Sequence, residues 1–223
     1  MSINSPDRTI LRDLAKRVAE IASLPEMAKR RQMWVEHNSL RSTCPMMLVF
    51  PEGAWEELLP ASALTCQDEE ARAIEWQLRS RIYTFEHFQD DTVVEAEWVV
   101  GAEVRDTGWG LAPVTVPSSE SRGAFRIEPV LRDRSDFRKM HLPDLVYDRK
   151  AHQQKWEQAQ ALFGDILQVK RAGIKHISYH LWSQYIHLRG ETQFLVDMAD
   201  DPDFIHQVMS FFQQGHQRLL QQM

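Results

Sequence analysis

The chain has 223 residues, 43% of them hydrophobic and 26% charged, and a net charge of −6. That length allows one large domain with a real core, and the acidic balance argues against a nucleic-acid groove, which needs clustered Lys and Arg. Cys44 and Cys66 are too far apart for a CxxC site or a disulfide framework, and no apolar run reaches the length of a membrane span. The N-terminus lacks the basic-then-apolar profile of a secretory leader, so a cytoplasmic protein is expected.

Pro6 sits just inside a helix start, with Ser5 as its expected N-cap. Ile10, Leu11, Leu14, Val18 and Ile21 then form one apolar stripe. Pro25 opens a second helix carrying Met27, Met33 and Trp34, with Lys29, Arg30 and Arg31 on a solvated face. Pro45 to Phe50 is a continuous apolar run between prolines, the pattern of a strand buried on both faces. Asp68 is placed to cap a helix with Ala71, Ile74, Leu78 and Ile82 on one side.

Thr92 to Val104 is rich in β-formers, Gly108-Trp109-Gly110 signals a turn, and Ala124 to Leu131 reads as another strand. Region 92–131 is therefore expected to hold a barrel strand and a hairpin excursion. A short helix at Ser135 to Met140 and a longer one at Asp148 to Phe163 follow. Ile166 to Val169 is a second candidate buried strand, leading into a His-rich loop. Helices are expected at 181–188, 190–199 and 202–222, the last with Asp201 as N-cap and Pro202 at its first position.

Strands alternating with helices point to an α/β architecture. About three barrel-type strands are visible, whereas a closed eight-stranded barrel takes roughly 250 residues. The expectation is either an open sheet or an N-terminal piece of a longer barrel.

The run RQMWVEHNSLRSTCPMMLVFPEGAWEELLP, from Arg31 to Pro60, contains the pattern W-x2-HN…PEG-x-W-x-ELLP. Together with RIYTFEHFQDD, GWG and the segment 172–212, it resembles the N-terminal half of the uroporphyrinogen decarboxylase-like superfamily, which includes corrinoid and coenzyme M methyltransferases. The resemblance covers roughly Leu24 to Leu220. It implies a TIM-type (β/α)8 barrel of which only the N-terminal half is present, with residues 1–44 as a helical extension and 45–223 as the partial barrel. It also implies an active site at the C-terminal ends of the strands. In the methyltransferases of this family the zinc ligands lie in the second half, so no metal is assigned to this chain; zinc and a corrinoid are expected only for an intact relative. The implied activity is methyl transfer involving a corrinoid, with tetrapyrrole decarboxylation as the alternative. Implied partners are a small-molecule or corrinoid-linked substrate and a corrinoid protein. A reading from a different class is a catalytically incomplete half-barrel acting as a binding module or homodimer, because an open barrel edge exposes strand groups and apolar surface.

Family decarboxylases carry an arginine-rich loop after the first strand, suited to gripping carboxylates. This chain has Pro51-Glu52-Gly53-Ala54-Trp55 there, the wrong chemistry for a polyacidic substrate. Glu97 aligns near the family's pyrrole-binding aspartate, and Tyr185 is the nearest match to its active-site tyrosine. From the residues themselves, His180, Trp182 and Tyr185 form a pocket wall of flat ring faces with polar tips. His180 also has the pKa range of a general acid or base, with a structural histidine as the alternative. Glu52 is a candidate for binding a cation or moving a proton, with a helix-start carboxylate as the alternative; Trp55 for stacking on a planar ligand, with a packed interface indole as the favoured alternative; and His37 for substrate contact, with a plain helix end capped by Asn38 as the favoured alternative. His176 and His180 are four apart, a metal-binding spacing on a helix, but without the Glu of HExxH. Aromatic packing is the other reading of that pair.

Overall fold

A computed structural model describes residues 3–41, 44–120, 123–174 and 180–223. It divides into two compact units, residues 1–100 with 152–171, and residues 101–151 with 172–223.

In the first unit, α1 (Ser5–Ala22) and α4 (Glu69–Tyr83) pack side by side. Leu11, Ala15, Val18 and Ile21 of α1 are buried against Ala71 and Leu78 of α4, with Met27 of α2 (Pro25–Asn38) completing the layer. The N-cap of α1 is Asn4, one residue earlier than expected: its side-chain oxygen accepts the Asp7 N–H at 2.8 Å. Asp68 caps α4 as expected, through the Ala71 N–H. Phe163 at the end of α6 (Arg149–Phe163) brings its ring to 5.1 Å from Trp98. Trp98 lies on β1 (Glu97–Gly101), which pairs with β6 (Gln168–Ala172).

The irregular segment 64–68 has its amides turned inward, and inward amides must find acceptors. Two buried carboxylates supply them. Asp7 accepts the N–H groups of Gln67 and Asp68 at 3.0–3.1 Å. Glu75 accepts those of Thr65 and Cys66 at 2.8–3.0 Å, the Thr65 hydroxyl, and Arg79 Nε at 2.8 Å. Burial pushes the Glu75 carboxyl up, but these donors outweigh it and hold the group down at about 2. The adjacent Cys66 thiol is pushed up to about 12 by burial, with Glu75 adding to the effect, and is chemically quiet.

In the second unit, β2 (Val104–Asp106) pairs antiparallel with β5 (Leu145–Tyr147), and β3 (Val114–Pro117) with β4 (Phe125–Glu128). Four helices, α5 (Arg134–Phe137), α7 (Leu181–Arg189), α8 (Glu191–Asp200) and α9 (Pro202–Gln221), surround a core of Leu131, Tyr185, Leu188, Phe194, Phe204, Val208 and Phe212. Phe204, Val208 and Phe212 recur every four residues and make the buried stripe of α9. Asp201 caps that helix through the Phe204 N–H, as its sequence indicates. Gly108 and Gly110 have φ of 77° and 86°, which side chains resist, so the turn flings Trp109 onto α9. Its ring sits 5.2 Å from both Phe212 and His216.

The expected TIM-type barrel is not present among the described residues: the strands form three separate two-stranded sheets. The hairpin excursion within 92–131 is real, as β3–β4, but β2 turns to β5 instead of extending a barrel wall. The run Pro45 to Phe50, expected as a buried strand, belongs to no sheet and is largely exposed. Among the described residues no helix is long and apolar enough to cross a membrane.

Two outcomes test this packing. A Cβ at Gly215 would lie 2.3 Å from Trp109 Cζ3 and 2.9 Å from Pro143 Cδ. Gly215→Ala gains up to about 1 kcal/mol of helix propensity but incurs overpacking of about 1–3 kcal/mol, so calorimetry should show a lower Tm. Glu75 has a depressed carboxyl, so its contribution is complete above about 4.5 and is lost as pH falls towards about 2. Wild type should lose stability across that window. Glu75→Ala, which strips a buried partner from Arg79 and two amides, should cost about 3 kcal/mol in urea unfolding at neutral pH.

Candidate functional site

The three sequence signatures of the first hundred residues converge on one corner of the first unit. Trp34, from W-x2-HN, donates its indole Nε1–H to the Asp91 carbonyl at 2.7 Å. The His37 ring stands edge-on to Trp34, with centroids 5.5 Å apart. Asp90 and Asp91 end the RIYTFEHFQDD segment, and they grip the apolar run before Pro51. The buried Asp90 carboxylate accepts the Val49 N–H at 2.9 Å, and also the amide and hydroxyl of Thr92. Asp91 accepts the Met47 N–H at 2.7 Å and returns its own N–H to the Met47 carbonyl at 2.9 Å.

Local backbone geometry makes this convergence possible. After α4 the chain widens into a π-helical turn, Thr84–Phe88, and Gln89 at φ 49° reverses it so that Asp90 points inward. Glu52 takes a similar left-handed conformation, φ 48°, and starts the 3-10 turn Glu52–Ala54 that leads into α3 (Trp55–Leu58). Left-handed non-glycine residues and π-turns are uncommon and concentrate at functional sites. The turn delivers the Trp55 ring to 5.6 Å from Trp76, 5.7 Å from Tyr83 and 5.9 Å from Phe88. His87 stacks at 4.1 Å on Tyr83. Trp55, Trp76, Tyr83 and Phe88 are all half-buried, so they offer ring surface to solvent beside the exposed Glu52 carboxylate. The other three rings cross the Trp55 plane at 54–75° and so form an edge-to-face cluster, of which a single exposed ring face can stack a planar ligand.

Glu97, on β1, forms an ion pair with Lys170 of β6, and its carbonyl accepts Arg81 Nη1 at 2.9 Å. It therefore ties the sheet to α4.

The other three candidates, His180, Trp182 and Tyr185, lie in the second unit. His180 is exposed and precedes α7, its carbonyl accepting the Gln184 N–H. Trp182 is half exposed and edge-on to Phe194 at 4.9 Å. Tyr185 is fully buried, and its hydroxyl donates to Asp197 at 3.0 Å. Asp197 also takes Arg189 at 2.6 and 2.8 Å and Gln193 at 2.8 Å, while Arg189 reaches the carbonyls of Leu131 and Arg132. Burial and the Asp197 carboxylate push the phenol well above its usual range. The trio is a closed clamp, with the donors and acceptors of Tyr185 turned to protein. Beside it lies an open cleft of about 410 Å³ lined by Arg132, Arg134, Ser135, Arg189, Asp201 and Phe204. Arg132 pairs with Asp136, Arg134 with Asp201 and Arg189 with Asp197, so the cleft's cations are already matched.

His37, Glu52 and Trp55 all lie in the first unit, whereas His180, Trp182 and Tyr185 lie in the second. The ring partners Trp76, Tyr83 and Phe88, and the tethering Asp90 and Asp91, escape a reading by residue type. His176 lies outside the described residues. Among those described, no group of three or more His, Cys, Asp or Glu is placed to hold a metal ion. No family model, curated protein or solved structure matches the chain.

The clamp gives a direct check on Tyr185. Tyr185→Phe should cost about 1 kcal/mol, one hydrogen bond, and Arg189→Ala about 3–5 kcal/mol, because it leaves Asp197 buried without its cation. Urea unfolding monitored by tryptophan fluorescence would measure both.

Proposed function

We propose that the protein is uroporphyrinogen decarboxylase-like and serves methyl transfer involving a corrinoid, with the Trp55 surface receiving a flat, cofactor-sized ligand. The observation that carries this reading is the meeting of W-x2-HN, PEG-x-W-x-ELLP and RIYTFEHFQDD at one place, through Trp34–Asp91, Asp90–Val49 and the Trp55 ring contacts. A sequence signature that is also a spatial cluster suits a binding surface better than scattered packing does. In this reading the ring face of Trp55 supplies stacking area, and Trp76 braces it edge-on. Glu52 orients the ligand edge, and His37 sits behind Trp34 as support. A bound corrinoid would supply the methyl-carrying chemistry.

Charge favours this over decarboxylation of uroporphyrinogen. The turn that would face the substrate contributes Glu52, Glu56 and Glu57 and no arginine. Carboxylates repel a polyacid, whereas family decarboxylases meet it with guanidinium groups. A second reading, a binding or interaction module, is favoured by the exposed Met47 to Phe50 run.

Equilibrium dialysis of the full chain against hydroxocobalamin and, separately, uroporphyrin tests the proposal. Hydroxocobalamin should be retained, and Trp55→Ala should weaken retention about tenfold, or 1.4 kcal/mol. Release of carbon dioxide from uroporphyrinogen by the purified protein alone would overturn it, as would retention of hydroxocobalamin that Trp55→Ala leaves unchanged.

A further inference from the structure

The segment Met46 to Phe50 has two edges with different fates. The N–H groups of Met47 and Val49 both turn to one side, where Asp91 and Asp90 take them. Amides two residues apart on one side are the signature of extended backbone. The amides of Met46, Leu48 and Phe50 therefore share the opposite edge, where no hydrogen bond engages them among the described residues. Side chains along this run are open as well, with Met47 59% and Phe50 75% exposed.

We propose that this outer edge pairs with the same segment of a second copy of the chain, antiparallel about Leu48. Three features of the sequence favour a copy of itself over a foreign strand. Pro45 and Pro51 stand at equal distances from Leu48, so in this register each proline faces the other copy's proline. Both prolines share the parity of Met47 and Val49, so their missing N–H groups fall on the inner edge and leave the outer donors intact. The pairs Leu48 with Leu48, and Met46 with Phe50, are all of the hydrogen-bonded type, giving about six interchain bonds. A two-fold contact of this kind is closed, with the same patch used on both sides. The acidic chemistry at Glu52 lies outside the paired run. This pairing does not depend on the corrinoid reading.

Sedimentation equilibrium on the full chain across the micromolar range reads the outcome. Wild type should be a dimer that dissociates on dilution, and Leu48→Pro, which deletes the central outer donor but keeps the inner ones, should raise Kd at least about tenfold. Leu48→Lys should do the same by charge, and stands in should the proline variant lose its circular-dichroism signal. Hydrogen exchange adds an independent readout: the Leu48 and Phe50 amides should exchange faster as the protein is diluted, while Val49 does not change. A monomer at all concentrations overturns the proposal, and so does a dimer indifferent to both substitutions. Protection of the Leu48 amide that appears only with a different added protein assigns the edge to a foreign strand and equally overturns it.

Discussion

Buried backbone amides must be satisfied, and in this protein carboxylates satisfy many that a wider sheet would otherwise take. Asp7 holds Gln67 and Asp68, Glu75 holds Thr65 and Cys66, and Asp90 and Asp91 hold Val49 and Met47. In the second unit the buried Asp136 takes the Arg132 N–H. Such charge-assisted bonds contribute about 1.5–3 kcal/mol each, while burying a lone carboxylate costs several. The balance favours the fold only where two or more donors converge, as they do on Asp7, Glu75 and Asp90. The acidic excess of the chain is thus partly internal architecture and not only surface charge.

This constraint explains how irregular segments become fixed enough to present a site. Segment 64–68 and segment 45–50 have no ladder of their own, yet each is held at defined amides by an acid from a neighbouring element. Segment 45–50 then positions Pro51 and Glu52, and the left-handed turn at Glu52 aims α3 so that Trp55 meets Tyr83 and Phe88. A left-handed residue costs roughly 1–2 kcal/mol, so the conformations at Glu52 and Gln89 persist because the ring contacts and the aspartate tethers over-determine them. Strain and the ring cluster sit together here for a mechanical reason: the tethers that hold the backbone also fix the turn that carries Trp55.

Local signals in the sequence proved reliable where the physics is local. The caps at Asp68 and Asp201, the proline at the start of α9 and its four-residue apolar spacing depend on near neighbours, and they are found as read. The barrel expectation failed, because alternation of strands and helices says nothing about which strands pair. A continuous apolar run is equally compatible with burial on both faces and with an exposed edge, so Pro45 to Phe50 misled. Tyr185 looks like a pocket residue by type, but its buried partner Asp197 lies twelve positions on, and only folding brings Arg189 between them and the Leu131 carbonyl. Asp90 and Asp91 are adjacent acids whose partners lie 41 and 44 residues earlier, so their tethering of Val49 and Met47 depends on the fold.

The position of the prolines ties these points together. Proline in a strand is tolerated only where its missing N–H is not required, and Pro45 and Pro51 both fall on the edge that the aspartates serve. Of the run, Asp90 and Asp91 engage Val49 and Met47, the two inner-edge donors between the prolines, so that edge is matched residue for residue. The same prolines restrict the outer edge to the three amides between them. An unbounded apolar edge would template aggregation, whereas a short one flanked by proline admits only a partner of limited length. The segment is thereby fixed on its inner edge by the acids, and its apolar side chains stay exposed.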